Sequence, residues 1–351
     1  MDSHTAPGIP QASRGLILPI VIFLMGFSLY LASAVGAVLA ESIALKIALA
    51  ALSGAFIANL AIIGHDAVHR SFTRIRWLNR IIGTVAFLPA LHPYGRWEHH
   101  HNRIHHCYTA QIGVDNAFSP MTPQQYRSAS RALRLYYRFM RSLIGQPFFY
   151  MIDIWAISMF VPYVRRGHGL RVADWRDIAF VYAWVVLSTI GFALLSWSFK
   201  GGFFPGNFWN GALYGVLIPF LVWNVFISFV TIVQHTGPKV HWVMPTGRFS
   251  TQEERLNGTV HIVFPGALDW FFHRVMQHLV HHVNPIIPLY RLKDTEAKLI
   301  ADAETANIEI WTPLYHWRLA RDCKLYDPIE DRWCGFPQVA RGFHATSALA
   351  D

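Results

Sequence analysis

Histidine is concentrated in three short clusters that border long apolar stretches: HDAVH from His65 to His69, HHHNRIHH from His99 to His106, and HLVHH from His278 to His282. Neutral imidazole is a good ligand for first-row transition metals, so clusters at helical spacing beside apolar spans point to a metal centre at a membrane surface. The spacing is specific. Residues three or four apart share a helix face, and His65 with His69, His101 with His105, and His278 with His281 all meet that condition. His106 and His282 sit beside the last member of their pairs, so each cluster presents two or three rings to a common point.

The chain is too oily for a soluble domain of its length, with 53% hydrophobic and 15% charged residues. Apolar runs of spanning length occur at Leu16–Ala40, Ser42–Ile63, Ile178–Phe199 and Gly211–Val233. Only Arg14 precedes the first run and no small-residue cleavage site follows it, which argues against a cleaved signal peptide. The segment Gly64–Arg176 carries fifteen arginines, whereas the loops after spans one and three hold only Glu41 and Lys200. By the positive-inside rule the arginine-rich segment, both termini and everything after His235 are expected in the cytoplasm. All three clusters then lie on one side of the membrane. The expected fold is all-α and integral to the membrane: four transmembrane helices carry a cytoplasmic, histidine-rich cap made of 64–176 and 235–322.

Within that cap, Ile81–Tyr94 and Phe148–Val164 are too short and too interrupted to span, and read as interfacial or re-entrant helices. Residues 1–322 are taken as one membrane domain and 323–351 as a peripheral tail with weak structure. Cys107, Cys323 and Cys334 form no CxxC pair, so neither a disulfide framework nor a thiolate zinc site is expected. The net charge of +9 comes without a recognition motif, and a lipid-facing basic surface explains it better than nucleic acid does. Catalytic zinc takes three protein ligands plus water, and eight or more histidines suit two metals better. Soluble di-iron bundles use paired Glu-x-x-His motifs, which Glu98 and His101 match only once. The residues therefore favour an all-histidine di-iron site.

Several further motifs resemble those of the membrane-bound fatty acid desaturases, in particular acyl-lipid delta-12 (omega-6) enzymes of cyanobacterial type. They are HDAVHRSF, Arg76-Trp77-Leu78-Asn79, Trp97 four residues before His101, Val114-Asp115-Asn116-Ala117, VQHTGP at Val233–Pro238, LNGTVH at Leu256–His261, and HLVHHVNPIIPLY at His278–Tyr290. The resemblance covers roughly His65 to Tyr290. It implies a non-haem di-iron centre held by His65, His69, His101, His105, His106, His278, His281 and His282, with His235 as a ninth ligand from outside the three boxes. Asp66, Asp115 and Asn116 are candidates for orienting ligand rings through hydrogen bonds. Two positions depart from the family pattern. The second box reads H-x-x-x-H-H from His101 to His106 where H-x-x-H-H is usual, which leaves His100 as a substitute for His101. Glu98 stands where arginine is common. His92, His168, His241, His261, His273, His316 and His344 match no box and read as surface residues.

The chemistry implied by the resemblance is dioxygen-dependent removal of two hydrogens from neighbouring methylenes, leaving an alkene and water. Its substrate would be a membrane lipid acyl chain already unsaturated at carbon nine. Two electrons per turnover would come from a separate ferredoxin or cytochrome b5: the chain has no recognisable nucleotide site, and His92-Pro93-Tyr94-Gly95 is not the His-Pro-Gly-Gly of a fused cytochrome b5 domain. The arginines Arg127, Arg131, Arg134, Arg138 and Arg141 would offer an acidic donor a basic surface. A hydroxylase, acetylenase or conjugase would share the boxes. A membrane metal transporter would place ionisable residues within its spans, and a bis-histidine haem protein would face histidines inside the bundle; neither pattern is present. The expected location is a bacterial inner membrane, with the active site on the cytoplasmic side.

Overall fold

The computed structural model describes residues 15–160, 172–198, 208–292 and 307–337. Among these, four helices are long and apolar enough to cross a membrane: Ile17–Leu39, Ile43–Val68, Trp175–Ser198 and Phe208–His235. These are the four expected spans. The third ends at Ser198, and Phe199 with most of the Lys200–Asn210 connection lies outside the described residues. Two boundaries move for a physical reason. Hydropathy falls at Ile63, but span two continues to Val68, with buried His65 and Asp66 in its last turns. Span four likewise runs on through Gln234 and His235. Both helices therefore carry histidines out of the apolar layer as rigid extensions.

Spans one and two form a tight hairpin. Ser42 caps span two by accepting the Leu45 N–H at 3.2 Å. Lys46, almost fully buried, donates to the Val38 carbonyl at 3.0 Å, satisfying one of the orphan carbonyls at the end of span one. Span two packs against span four. At Gly54 an added Cβ would stand 2.6 Å from the Val222 side chain and 2.7 Å from the Pro219 carbonyl, so the missing side chain sets the close approach of the two helices. Span four widens into a π turn at Leu213–Leu217 immediately before Pro219, a residue that lacks the N–H a regular helix would use there. Spans one and three expose Leu18, Leu24, Phe180, Leu187 and Leu194, a surface suited to lipid.

The remaining segments build the cap. The amphipathic helix Arg76–Phe87 exposes Trp77 and Ile81 and buries Ile82, Ala86 and Phe87 against span two. Asp177, at the start of span three, ties that span to the cap: its carboxylate takes the Arg80 guanidinium at 2.6 and 2.8 Å and the Gly95 N–H at 2.6 Å. Residues Tyr150–Phe160 form a π-helical segment with Tyr150, Ile154 and Met159 buried; the rest of the expected Phe148–Val164 stretch, 161–164, lies outside the described residues. Among the described residues the cap also contains two small sheets that hydropathy did not suggest. Strand β1 (His261–Val263) pairs in parallel with β2 (Ile308–Ile310), and β3 (Leu325–Asp327) pairs antiparallel with β4 (Arg332–Cys334).

The β3–β4 hairpin corrects the expectation of weak structure from Cys323 onward. Leu325 and Tyr326 are buried, the Tyr326 N–H donates to the Met121 carbonyl at 3.1 Å, and the Tyr137 hydroxyl donates to the Lys324 carbonyl at 2.7 Å. The sequence there is short and mixed, so its order comes from tertiary contacts with the cap. Residues 338–351 lie outside the described residues.

The Gly54 contact yields a direct prediction. Gly54→Ala should lower the thermal unfolding midpoint of the detergent-solubilised protein, by an amount equivalent to about 1–3 kcal/mol, because an added methyl meets a backbone carbonyl that cannot turn aside. Differential scanning fluorimetry checks this. An unchanged midpoint would mean that the two spans do not approach as closely as described.

Candidate metal centre

The three histidine clusters and His235 meet at the cap end of spans two and four. His65 lies in the last turn of span two and His69 is its C-terminal cap. His235 ends span four. His278, His281 and His282 lie on the short helix His278–Val283, which follows a sharp turn in which His273 and Arg274 both take positive φ. The middle cluster is π-helical from His99 to His105. The His106 N–H bonds to the His101 carbonyl at 2.9 Å, five residues back. This accounts for the extra residue in the second box: the wider turn places His101 and His106 on one side while His105 faces another.

Nine histidines thereby form two adjoining groups. His65, His69, His101, His106 and His281 make one, and His105, His235, His278 and His282 the other; within each, one ring nitrogen per residue lies within 4.8 Å of all the rest. His100 belongs to neither group and faces the Asn116 amide instead. The outer hydrogen bonds decide which nitrogens carry protons. His105 Nδ1 lies 2.9 Å from the Asp115 carboxylate, and His235 Nδ1 lies 3.2 Å from the Gly258 carbonyl. Both acceptors require an N–H, so Nε2 of each ring is a bare lone pair facing inward. His282 Nδ1 is 3.4 Å from the Thr109 hydroxyl, whose own proton goes to the His105 carbonyl at 2.8 Å, so that ring is also protonated outward. His65 Nδ1 faces the Asp66 carboxylate at 3.3 Å with the same result.

Ring nitrogens thus converge. His282 Nε2 is 3.1 Å from His105 Nε2 and 2.9 Å from His278 Nε2, which is 2.8 Å from His235 Nε2. In the other group His106 Nε2 is 3.0 Å from His101 Nε2 and 3.1 Å from His281 Nε2, while the buried His69 Nε2 has no hydrogen-bond partner. Two nitrogens bound to one ion at about 2.1 Å and at right angles stand about 3.0 Å apart, so the spacings match those of neighbouring ligands on a shared ion. Burial, followed by the neighbouring rings, pushes the pKa values of His101, His106, His278, His281 and His282 well below the ordinary histidine range. The rings are neutral, the form that binds metal. The donor set therefore fits two first-row ions.

The supporting residues are unevenly distributed. Asp115 is buried and accepts the His105 ring at one oxygen and the Ala110 N–H, at 2.8 Å, at the other; the Ala117 N–H adds a third bond at 3.0 Å. Burial would raise its pKa, but the His105 ring and the Ala110 N–H hold it below the usual carboxylate range. It orients a ring of the four-histidine group only. The LNGTVH motif supplies Gly258, whose carbonyl holds His235. A Cβ there would stand 2.4 Å from that of Ala110, so the position has no room for a side chain.

A second network escaped the sequence reading. His92, expected at the surface, is buried, with Nδ1 donating to the Ala90 carbonyl at 2.6 Å and Nε2 accepting the Tyr150 hydroxyl at 2.9 Å. The Trp97 indole N–H donates to the same hydroxyl at 3.1 Å, and its ring stacks on His101 at 4.2 Å between centroids. His261 is also buried, whereas His168 and His344 lie outside the described residues. Against the histidines lies a cavity of about 90 Å³ whose opposite wall includes Tyr150, Ile154, Ile227, Val230 and Val275. It is apolar on one face and metal-binding in character on the other.

Known proteins resemble this chain. A model of the family described as fatty acid desaturase matches residues 43–314, a stretch that includes all nine histidines. The chain is 30% identical over 285 residues to an sn-1 oleoyl-lipid 12-desaturase of Synechocystis sp., covering 79% of this chain and 74% of that protein. It is 28% identical to a protein of the same name from Picosynechococcus sp., covering 82% and 78% respectively. A chloroplastic omega-6 fatty acid desaturase of Arabidopsis thaliana is 28% identical over 83% of this chain and 61% of its own length. The chain belongs to the fatty acid desaturase family.

Proposed function

We propose that the two histidine groups each hold one iron ion, and that the enzyme introduces a cis double bond at the delta-12 position of a lipid-linked acyl chain already unsaturated at carbon nine. The convergence of inward ring nitrogens, in two groups with ligand-like spacings, carries the metal reading. The names of the relatives support the substrate and the position of the bond. When bound, the iron pair would supply reductive activation of dioxygen and abstraction of hydrogen from an unactivated methylene.

The protein's own residues supply placement. The cavity beside the histidines holds about three water molecules' worth of volume, so only a few methylenes fit against the metal-binding face at once. Ile154, Ile227, Val230 and Val275 keep that slot apolar and exclude water. The Tyr150 hydroxyl, although it borders the slot, gives its proton to His92 and accepts from Trp97, so it has no proton to donate to a water there. Which carbon pair reacts is set by how far the chain enters before it meets this wall.

Electrons would come from ferredoxin or cytochrome b5 docking on the cap, which we place in the cytoplasm of a bacterium on the strength of the arginine-rich segment 64–176. The basic surface differs from the one expected. Arg127, Arg131 and Arg138 are exposed, but Arg141 is buried, donates to the Phe118 carbonyl at 2.7 Å and lies over the Phe118 ring at 3.8 Å. Its long stem and planar head fill a gap among aromatic rings, so it faces no partner.

Two experiments test this reading. Iron titration should find two ions per chain in the wild type, and Asp115→Asn should weaken one of them by about 10–100-fold while sparing the other, since Asp115 orients a ring of only one group. Two unchanged sites in the variant would remove Asp115 from the metal centre. For the substrate, bacterial cells expressing the chain with a ferredoxin and fed oleate should accumulate linoleate, located by mass spectrometry, and His281→Ala cells should not. A product with its new bond elsewhere would reject the delta-12 assignment, and no product from a chain loaded with two irons would reject this substrate or this donor.

A further inference from the structure

Span four carries a second cavity on the face turned away from the histidines, and no step of the proposed reaction uses it. Its volume is about 620 Å³, within the range of small-molecule sites. Leu221, Val225, Phe226 and Phe229 of span four form one wall, with Phe264 and Phe272 of the cap opposite. Leu221, Val225 and Leu268 are exposed, so the cavity opens on the lipid-facing surface. From Leu221 to Ile232 the wall runs about 16 Å along the helix, enough to hold a length of extended acyl chain.

The polar atoms of the cavity lie at its cap end, and they lack partners. Gln146 is only 3% exposed, and its side-chain carbonyl oxygen is buried with no hydrogen bond. The Trp311 indole N–H and the His316 Nδ1 are likewise buried and unpaired. All three residues line the cavity. The Trp311 and His316 rings both pack on Phe229, with centroids 5.6 Å away, near the end of span four that enters the cap. Three unsatisfied polar groups around one apolar space are a costly arrangement unless a ligand completes them.

The chemistry of the ligand follows from this polarity. Trp311 offers a donor, His316 offers one in its Nδ1–H tautomer, and Gln146 offers its NH₂ after a half-turn of the amide that keeps the same shape. Among the described residues the lining holds no Lys, Arg, Asp or Glu to compensate a charged head group. We propose that this cavity is an accessory lipid site: it holds an acyl chain of a membrane glycerolipid along span four, with the uncharged ester carbonyl at Trp311, His316 and Gln146. The site is separate from the metal centre, and its existence does not depend on the function proposed above.

The test uses the full chain reconstituted in nanodiscs of phosphatidylglycerol that carries a photoactivatable diazirine on one acyl chain. Peptide mapping should find label concentrated on 221–232 and 264–272, above the level on the exposed face of span three. Val225→Trp, which fills the mouth, should reduce that label to the span-three level. Trp311→Phe, which keeps an aromatic ring but removes the indole N–H together with the five-membered half of the ring, should lower it by about fivefold, the scale of one lost hydrogen bond. Even labelling of all lipid-facing helices, or labelling unaffected by both variants, would identify ordinary boundary lipid and overturn the proposal. Preferential labelling by diazirine-bearing palmitate in place of the ester-linked lipid would also overturn it, since that occupant is a charged free acid.

Discussion

The structure depends on the cost of burying nitrogen lone pairs that face one another. Nine imidazoles are withdrawn from water at the cap end of the helical bundle, and outer acceptors force several of them to present unprotonated nitrogens inward. Such a cluster requires that rigid elements hold each ring, and its inward nitrogens suit a cation at the centre. The rest of the fold answers the first requirement. Spans two and four act as struts whose last turns leave the apolar layer carrying His65 and His235. The close contact at Gly54 fixes the distance between those struts, and the Asp177 carboxylate fastens span three to the segment that leads into the middle cluster.

The spans and the histidines could be read from the sequence because both have a simple period or length. Twenty apolar residues in a row admit few alternatives, and histidines at three- and four-residue spacing mark a shared neighbourhood, although His101 and His105, like His278 and His281, divide between the two groups and only His65 and His69 stay together. Less legible were features set by tertiary contact. The division of the middle cluster between two groups depends on a π turn, and the spacing from His101 to His106 shows only that a regular helix fits poorly. Asp115 was recognisable as a candidate, but its restriction to His105 follows from the loop 110–117 folding back on the ring. His92 looked like an unplaced surface histidine, because its partner Tyr150 lies 58 residues away. Arg141 sits in a run of arginines and is indistinguishable from them by charge, yet aromatic packing draws it inside. The hairpin β3–β4 lacks a strong local signal and is ordered by the groups it touches.

Span four separates two apolar environments with different tasks. One face, through Ile227, Val230 and Thr231, borders the small slot beside the histidines. The other, through Val225, Phe226 and Phe229, borders the larger cavity that opens to lipid. A single helix can do this because residues three and four apart repeat on one face and leave the opposite face to the positions between them. Polar anchors keep the helix from rotating: Gln234 donates to the Val275 carbonyl at 2.7 Å, and Ser228 accepts the Tyr150 N–H at 2.8 Å.

The π turn gives the centre a covalent ruler. His105 and His106 are adjacent, yet they serve different groups, and the same holds for His281 and His282. Consecutive Cα atoms stand about 3.8 Å apart whatever the packing around them. The two groups are therefore joined twice by single peptide units, which neither breathing of the helices nor a change in bilayer thickness can stretch. Strain in the membrane would move the pair as one body relative to the acyl slot, altering which carbon is presented while leaving the separation between the two groups unchanged.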